Sequence, residues 1–505
     1  MHRRTIPDAE ERILGDLRWA GLQWDEGPDV RGPHGAYRQV RSMKQILDLA
    51  ATPMLTLSQT GHAYRCFCSA ERLNELAKLK SRLGLPTDYD RTCASISKEE
   101  SEGRAARGDS HVVRLKAPNR YPQLDDLVYG VVGGKSKYGR ALIKNGEPAY
   151  EDPILLKSDG LPTYHLANVV DDHHMKITHV IRAAEWLSST PKHLFMYEAF
   201  GWRPPAFAHV GLLQDRNGQK LSKRNFDLDI STFRQDLGVF PESLVNYVAL
   251  LGWSHNKAKD VMTLDQLIEN FDLKFTKGNT IVTFEKLWFL QKAHAKLRAD
   301  EGGDKFEELV DRVCVFARDN MVALGNSFSN GLNLRDYISA ILRADAENFT
   351  TPEEFWKRNS YFFTSIIIGQ YPVRYSDGRR VHSVPVNDLA KCARQFETMP
   401  PETWNSSTLK DKISEVITTS SEMSVQELNE QGADKSALAK RTRKEWNKAF
   451  HHYLRWAVAE GKEGPPIGQV MEILGRDISL GRLREAAALA GQNVASQKME
   501  DSPHR

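Results

Sequence analysis

The spacing of apolar residues changes character near residue 210, and that change constrains the fold of this 505-residue chain more than any other feature. Before it, short β-branched runs alternate with helical periodicity. His111-Val112-Val113-Arg114-Leu115 and the run 127–132 read as strands of a small mixed α/β segment. Ile154-Leu155-Leu156 and the run 177–182 read as two more, the second β-branched enough to be buried. Thr190-Pro191 then opens a helix, with Thr as cap and Pro in the first turn. After residue 210 the pattern is helical. From Pro241 to Leu251 the residues Leu244, Val245, Val248 and Leu251 fall on one face, and Gly252 stops the run. Thr263 with Gln266, and Thr351 with Glu354, have the spacing of capping boxes. An α/β half and a helical half do not share one core, and the length itself calls for three or four domains.

Other stretches are less ordered in pattern. Ile13, Leu14, Leu17, Trp19 and Leu22 give an amphipathic helix over 8–22. Residues 404–440, rich in Ser, Lys, Glu and Gln, read as solvated helices with a loose connection, and the last ten residues as a disordered tail. The charge is nearly balanced, 69 basic against 66 acidic residues, which permits a nucleic-acid partner without arguing for one. Five cysteines make no disulfide framework and point to a reducing compartment. No apolar run reaches the roughly 18 residues of a membrane span. The opening residues match neither a signal peptide nor an acid-poor presequence.

The chemistry concentrates in three places. Lys220-Leu221-Ser222-Lys223-Arg224 follows the tight-turn sequence Asp215-Arg216-Asn217-Gly218. Two lysines and an arginine around a hydroxyl make a cationic clamp suited to a nucleoside triphosphate attacked at its α-phosphate. Five residues taken alone fit a solvated basic loop better. Upstream, in 157–173, Tyr164 and Asn168 stand four apart on one helical face, a phenol and a carboxamide able to hold a small polar substrate. Arg182 falls at the carboxyl end of a strand, where open α/β sheets bind ligands, and its fork matches a carboxylate. Glu185 and Trp186 follow at the strand-to-helix turn, with hydrogen-bonding and stacking groups for an adenosine.

Taken in order, Asp159-Gly160 through His173, then Val180-Ile181-Arg182 with Glu185-Trp186, then 220–224, resemble the class I glutamyl-tRNA synthetases of bacterial and mitochondrial type. Residues 7–14, 25–30, 201–202, 212–213, 454–457 and 470–476 extend the likeness, which is densest over 151–253. The resemblance implies an α/β Rossmann-like class I synthetase catalytic domain, lacking its first strand, with an α/β insertion, followed by all-α C-terminal anticodon-binding domains. It divides the chain into 1–63 (first half of the catalytic domain), 64–150 (acceptor-stem-binding insertion), 151–210 (second half), 211–300 (stem-contact region with the lysine loop) and 301–505 (anticodon-binding domains). It implies that Tyr164, Asn168 and Arg182 contact glutamate. Glu185, Leu213, Lys220, Leu221, Ser222, Lys223 and Arg224 would contact ATP, with Lys220 and Lys223 catalytic and Lys223 on the phosphates. ATP with Mg2+ is then the cofactor, and tRNA(Glu), glutamate and ATP are the partners of a monomer with no membrane. The bacterial rather than eukaryotic-cytosolic character implies the mitochondrial matrix.

The chain also departs from the family. The Pro-Ser-Pro-Thr-Gly…His-x-x-Gly stretch does not precede Thr5, and 40–60 matches poorly. Two expectations follow, an incomplete coding sequence or a shortened tRNA-binding protein without activity. A tRNA-modifying glutamylation enzyme is disfavoured by the long helical C-terminal half. A glutaminyl enzyme is disfavoured by the absence of a β-barrel pattern there. Cys66, Cys68 and Cys93 resemble the zinc pattern of some members, but the expected fourth ligand position holds Ser95, and Tyr89 reads as a poor stand-in. His165, His173, His174 and His179 read as surface and packing residues. The basic stretch Lys435, Lys440, Arg441, Arg443, Lys444 and Lys448 fits tRNA phosphates and a solvated helix face equally well.

Overall fold

The computed structural model describes residues 8–34, 37, 57, 60–85, 87, 89–132, 143–144, 147–148, 152–221, 230–256, 259–323, 333–369, 371–372, 382–428 and 435–500. Two compact units result, one of 1–230 with 244–284 and one of 231–243 with 285–505.

The first unit carries strands β1 (Ala63–Cys66), β2 (Val112–Leu115), β3 (Leu124–Asp126), β4 (Gly130–Val132), β5 (Ile143–Lys144), β6 (Glu147–Pro148), β7 (Ile154–Leu156), β8 (His179–Ala183), β9 (Ala206–Val210), β10 (Leu213–Gln214) and β11 (Thr280–Ile281). An antiparallel sheet runs β1-β2-β7, and a four-stranded sheet runs β4-β3-β9-β8 with β3, β9 and β8 parallel. Segments 64–150 and 151–210 therefore share both sheets. Leu115 and Leu155 of the antiparallel sheet bury against Leu166, Val169 and Val170 of the Tyr164–His174 helix and Met196 of the Thr190–Phe200 helix. Each such side chain removed from water contributes about 1.5–3 kcal/mol.

Several expectations change in detail. β8 is not buried. It is the edge strand of the described sheet, and Ile181 is 56% exposed. In the helix after it Ser189 holds the N-cap position without a side-chain cap hydrogen bond, and Thr190 lies one residue inside, wholly buried. The Ala9–Trp19 helix forms but buries none of its residues. The helix predicted to reach Leu251 ends at Ala249, and its buried face carries Leu244 and Tyr247 while Val248 points outward. The Thr263–Gln266 capping box is complete, whereas at Thr351 the hydroxyl accepts from the Glu354 N–H.

In the second unit, helices Glu285–Glu301, Asp304–Ala323, Leu334–Asp345, Pro352–Asn359, Val386–Ala393, Ser406–Leu428, Lys435–Ala459, Ile467–Leu474 and Arg476–Glu500 enclose one core that includes Phe306, Ile338, Phe396, Phe450 and Met471. The solvated-helix reading of 404–440 fails for Ser406–Leu428, which buries Leu409, Ile413, Val416 and Ile417, with Ser420 and Ser421 continuing the same face. The tail is helical through Glu500, beyond which the chain lies outside the described residues. The 231–243 segment joins this unit. Phe240 packs in the core beneath the Arg298 guanidinium, 3.9 Å from its ring centre, and Arg298 forms a two-point pair with Glu242. Among the described residues no helix is long and apolar enough to cross a membrane.

Candidate functional site

Parallel pairing sets the site. β8 and β9 are in register with Arg182 opposite His209, and β3 lies on the other side of β9. The Arg182 Nε donates to His209 Nε2 at 3.2 Å, and its Nη2 donates to the Thr190 hydroxyl at 2.7 Å. Thr190 in turn donates to the Trp186 carbonyl at 3.0 Å. His209 Nδ1 is 2.6 Å from the Asp126 carboxylate, and both side chains are fully buried. On the other flank His193 Nδ1 faces the guanidinium at 3.5 Å, and its Nε2 meets His165 Nδ1 at 2.9 Å. Burial, Arg182 and His165 together push His193 down to about 3, so it is neutral at physiological pH.

The arginine is thus fixed on one edge, and its other surroundings are the residues expected to hold a substrate. Burial pulls its value down, while Tyr164 and Asp172 beside it oppose that shift. Tyr164 lies against Trp186 with ring centres 4.7 Å apart, and the Arg182 guanidinium is 5.9 Å from the Trp186 ring. One turn and two turns further along the Tyr164 helix come Asn168 and Asp172. Burial raises Asp172 to about 6 despite the opposing effects of Arg182 and a hydrogen bond from Asn168. Asn168 Oδ1 and the Tyr197 hydroxyl are buried without a hydrogen-bond partner among the described residues. Unsatisfied buried polar atoms beside a forked cation are what a small polar ligand would complete.

The lysine loop approaches the same place. Asp215 Oδ1 accepts from the N–H groups of Asn217 and Gln219, Gly218 supplies the positive φ of 77°, and Leu221 N–H returns to the Leu213 carbonyl. That hairpin presents Lys220, whose Nζ is 2.7 Å from Glu185 Oε2. Leu213 lines a neighbouring cleft of about 180 Å³ with Val210, Gly211, Gly252 and Thr280. The structure therefore brings together Tyr164, Asn168, Arg182, Glu185 and Lys220, with Leu213 and Leu221 on the adjoining hairpin. Ser222, Lys223 and Arg224 lie outside the described residues.

Sequence reasoning missed Asp126, Thr190, His193 and His209. The available signal was the period of two in Ala206–Val210, which puts His209 on the face of Phe207 inside an apolar strand. His165 is also more than packing, since it bonds His193, whereas His173 does stack on Trp202 at 3.8 Å.

The cysteines converge too. The Sγ atoms of Cys66, Cys68 and Cys93 lie within 4.8 Å of one another. The Tyr89 hydroxyl sits 3.4 Å from Cys66 Sγ and 3.3 Å from Cys68 Sγ, and Cys68 and Cys93 are 3.6 Å apart. Zn–S bonds of about 2.3 Å in a tetrahedron imply edges of about 3.8 Å, so the three thiols have the spacing of zinc ligands, three of the four that a closed site needs. Tyr89 lies among the thiols, but burial and its hydrogen bonds with the cysteines hold its hydroxyl well above the usual phenol range, so it stays protonated and accepts from the Cys93 N–H. Ser95 instead donates to the Thr92 carbonyl.

Comparison with known proteins identifies the family. Residues 2–289 match tRNA synthetases class I (E and Q), catalytic domain, and residues 308–487 match an anticodon binding domain. The mitochondrial glutamate–tRNA ligase of Saccharomyces cerevisiae is 38% identical over 369 residues, 72% of this chain and 64% of the yeast protein. The glutamate–tRNA ligase of Acinetobacter baylyi is 42% identical over 289 residues, 57% of this chain and 54% of that protein. The chain thus spans between about half and two thirds of the length of these relatives. A crystal structure of a glutamate tRNA ligase from Elizabethkingia meningosepticum in complex with its amino acid superposes with a TM-score of 0.66 at 25% identity, covering 96% of this chain and 90% of that one. With a catalytic-domain match over more than half its length, the chain belongs to the class I tRNA synthetases of the E and Q type.

Proposed function

We propose that this protein is a glutamate–tRNA ligase, which activates glutamate with ATP and transfers it to the 3′ end of tRNA(Glu). The observation that carries the reading is the convergence of a carboxylate-sized guanidinium fork, Arg182, with a lysine hairpin tied to Glu185 at the same strand end. Tyr164, Asn168 and Arg182 hold glutamate. Glu185, Leu213 and residues 220–224 contact ATP, with Lys223 as the phosphate ligand. The glutamate α-carboxylate attacks the α-phosphorus in line and pyrophosphate departs. The terminal ribose hydroxyl of the tRNA then attacks the adenylate carbonyl, and AMP leaves. No covalent enzyme intermediate is needed, because positioning and charge stabilisation by Arg182, Lys220 and Lys223 supply the catalysis. Mg2+ arrives with ATP and neutralises phosphate charge.

This reading assigns 1–63 and 151–210 to the catalytic domain, 64–150 to acceptor-stem binding, 211–300 to stem contact and 301–505 to anticodon binding. Lys440, Arg443 and Lys444, which line a cleft with Thr418 and Gln426, would face tRNA phosphates. Cys66, Cys68 and Cys93, remote from the chemistry, are the three thiols that a zinc ion would meet. The working compartment is the mitochondrial matrix, and the protein acts as a monomer. The test is charging of tRNA(Glu) transcript by the purified chain with labelled glutamate and ATP. ATP-dependent charging specific for glutamate is expected. Retention of tRNA in a gel-shift assay with no charging would replace the ligase reading with that of a tRNA-binding synthetase relative.

A further inference from the structure

We infer that Asp126 and His209 are positioning residues for Arg182, setting the hydrogen-bond polarity that holds its guanidinium in place. The inference rests on Arg182 being the substrate fork of the ligase reading.

The argument is one of donors and acceptors. The Asp126 carboxylate is buried in the sheet and accepts the N–H groups of Val128 at 3.0 Å, Tyr129 at 2.8 Å and His209 at 3.1 Å. A carboxylate so surrounded is ionised and can only accept, so His209 must carry its proton on Nδ1, where the contact to Asp126 is made. At Nε2 the neighbours are the Thr190 hydroxyl at 3.0 Å and Arg182 Nε at 3.2 Å. An arginine nitrogen never accepts, so this Nε2 must present its lone pair. Asp126 thus fixes the tautomer of His209, and the tautomer makes His209 an acceptor for Arg182. Thr190 accepts from Nη2, which anchors a second nitrogen, and its single proton has two acceptors at 3.0 Å, the Trp186 carbonyl and the lone pair of His209 Nε2. His193 presents its Nδ1 to the same guanidinium. Two anchored nitrogens define the guanidinium plane, and so the direction in which its remaining N–H bonds point. Asp126 is remote in sequence, in β3, and touches no position assigned to substrate. Its influence on substrate would run entirely through His209.

Asp126→Asn and His209→Gln separate this role from a structural one. The asparagine keeps an oxygen for the backbone N–H groups but offers His209 a donor, which drives the proton to Nε2 and sets two donors against each other at Arg182. Losing a hydrogen bond to a charged group corresponds to about 10- to 100-fold. The Asp126→Asn protein is therefore expected to show a glutamate KM at least about tenfold higher with the ATP KM unchanged. His209→Gln, whose amide can donate to Asp126 and accept from Arg182, is expected to stay within about threefold of the unaltered protein. In 15N-histidine spectra the His209 signal, identified by its loss in His209→Gln, is expected to show the Nδ1–H form, changing in Asp126→Asn. An Nε2–H form in the unaltered protein overturns the inference. So does an Asp126→Asn protein with a lower Tm and an unmoved glutamate KM. If the unaltered chain charges no tRNA, the ligase reading fails by itself, and the tautomer measurement still decides whether Asp126 governs His209.

Discussion

Arg182 has two kinds of neighbour, and they make different demands on any replacement. Lysine keeps the charge but cannot reach His209 and Thr190 together or offer a planar fork. Arg182→Lys should therefore raise the glutamate KM about 30-fold or more, a loss of roughly 2 kcal/mol or above, while leaving tRNA retention intact. Steady-state charging kinetics over a glutamate series read this directly. Asp172 gives a pH signature. Burial raises its folded value to about 6, above the usual carboxylate range, so the folded chain holds a proton that the unfolded chain has already lost. That contribution is complete at pH values below the unfolded carboxylate range and fades as pH rises through about 6. Asp172→Asn removes it, and should gain about 1 kcal/mol over the unaltered protein between pH 4 and pH 7.5, after allowance for partial solvent screening. Denaturant titrations at the two pH values check the difference. Arg182, Tyr164 and Asn168 were legible in the sequence because strand-end placement and helical spacing are local patterns. Asp126 and His209 were not, since they stand 83 residues apart and only strand pairing makes them partners.

At the scale of elements, close backbone approach limits what the sequence can vary. A Cβ added at Gly211 would lie 1.7 Å from the Gly278 carbonyl oxygen, where β10 runs beside β11. Gly211→Ala must push these segments apart, and a loss of about 2–3 kcal/mol with impaired charging is expected from thermal melts and activity assays together. The thiol cluster gives a second prediction. If the three thiols hold zinc, the purified protein carries about one ion per chain, and Cys93→Ala removes it and lowers the Tm. Metal analysis showing none, with a Tm indifferent to a chelator, would reduce Cys66, Cys68, Cys93 and Tyr89 to a packed cluster. Element reading from sequence worked where caps and apolar periods agree, as at Thr263, and failed where small polar residues fill a buried face. Ser420 and Ser421 are such a case, their hydroxyls being satisfied within the described structure. β8 misled in the opposite sense, because β-branched residues favour strands without saying whether the strand is central or at the edge.

For the whole molecule, the two halves seen in the sequence correspond only approximately to the two units. The helical unit borrows 231–243, and the borrowed residues form part of its core. Burial works to raise Glu242, but the hydrogen bonds and charge of Arg298 outweigh it and hold the carboxyl below its usual range. The pair therefore stabilises the unit above the unfolded carboxylate range, and the contribution is lost as pH falls through the depressed folded value. Glu242→Gln leaves the buried guanidinium with only the exposed Glu308, 3.8 Å away, as counter-charge and should cost about 3 kcal/mol at neutral pH, measurable as a lower denaturation midpoint. Hydrophobic periodicity could not reveal this exchange, because a segment's period shows that it has an apolar face and not which core receives it.

That exchange has a consequence for synthesis. Phe240 leaves the ribosome well before Arg298, Phe306 and the other groups that enclose it in the helical unit. Meanwhile 244–284 must fold back onto the α/β unit. The nascent chain thus carries an aromatic side chain with no completed core to enter, at a stage when the earlier unit is itself still being closed, and it is here that a holding chaperone would find its grip.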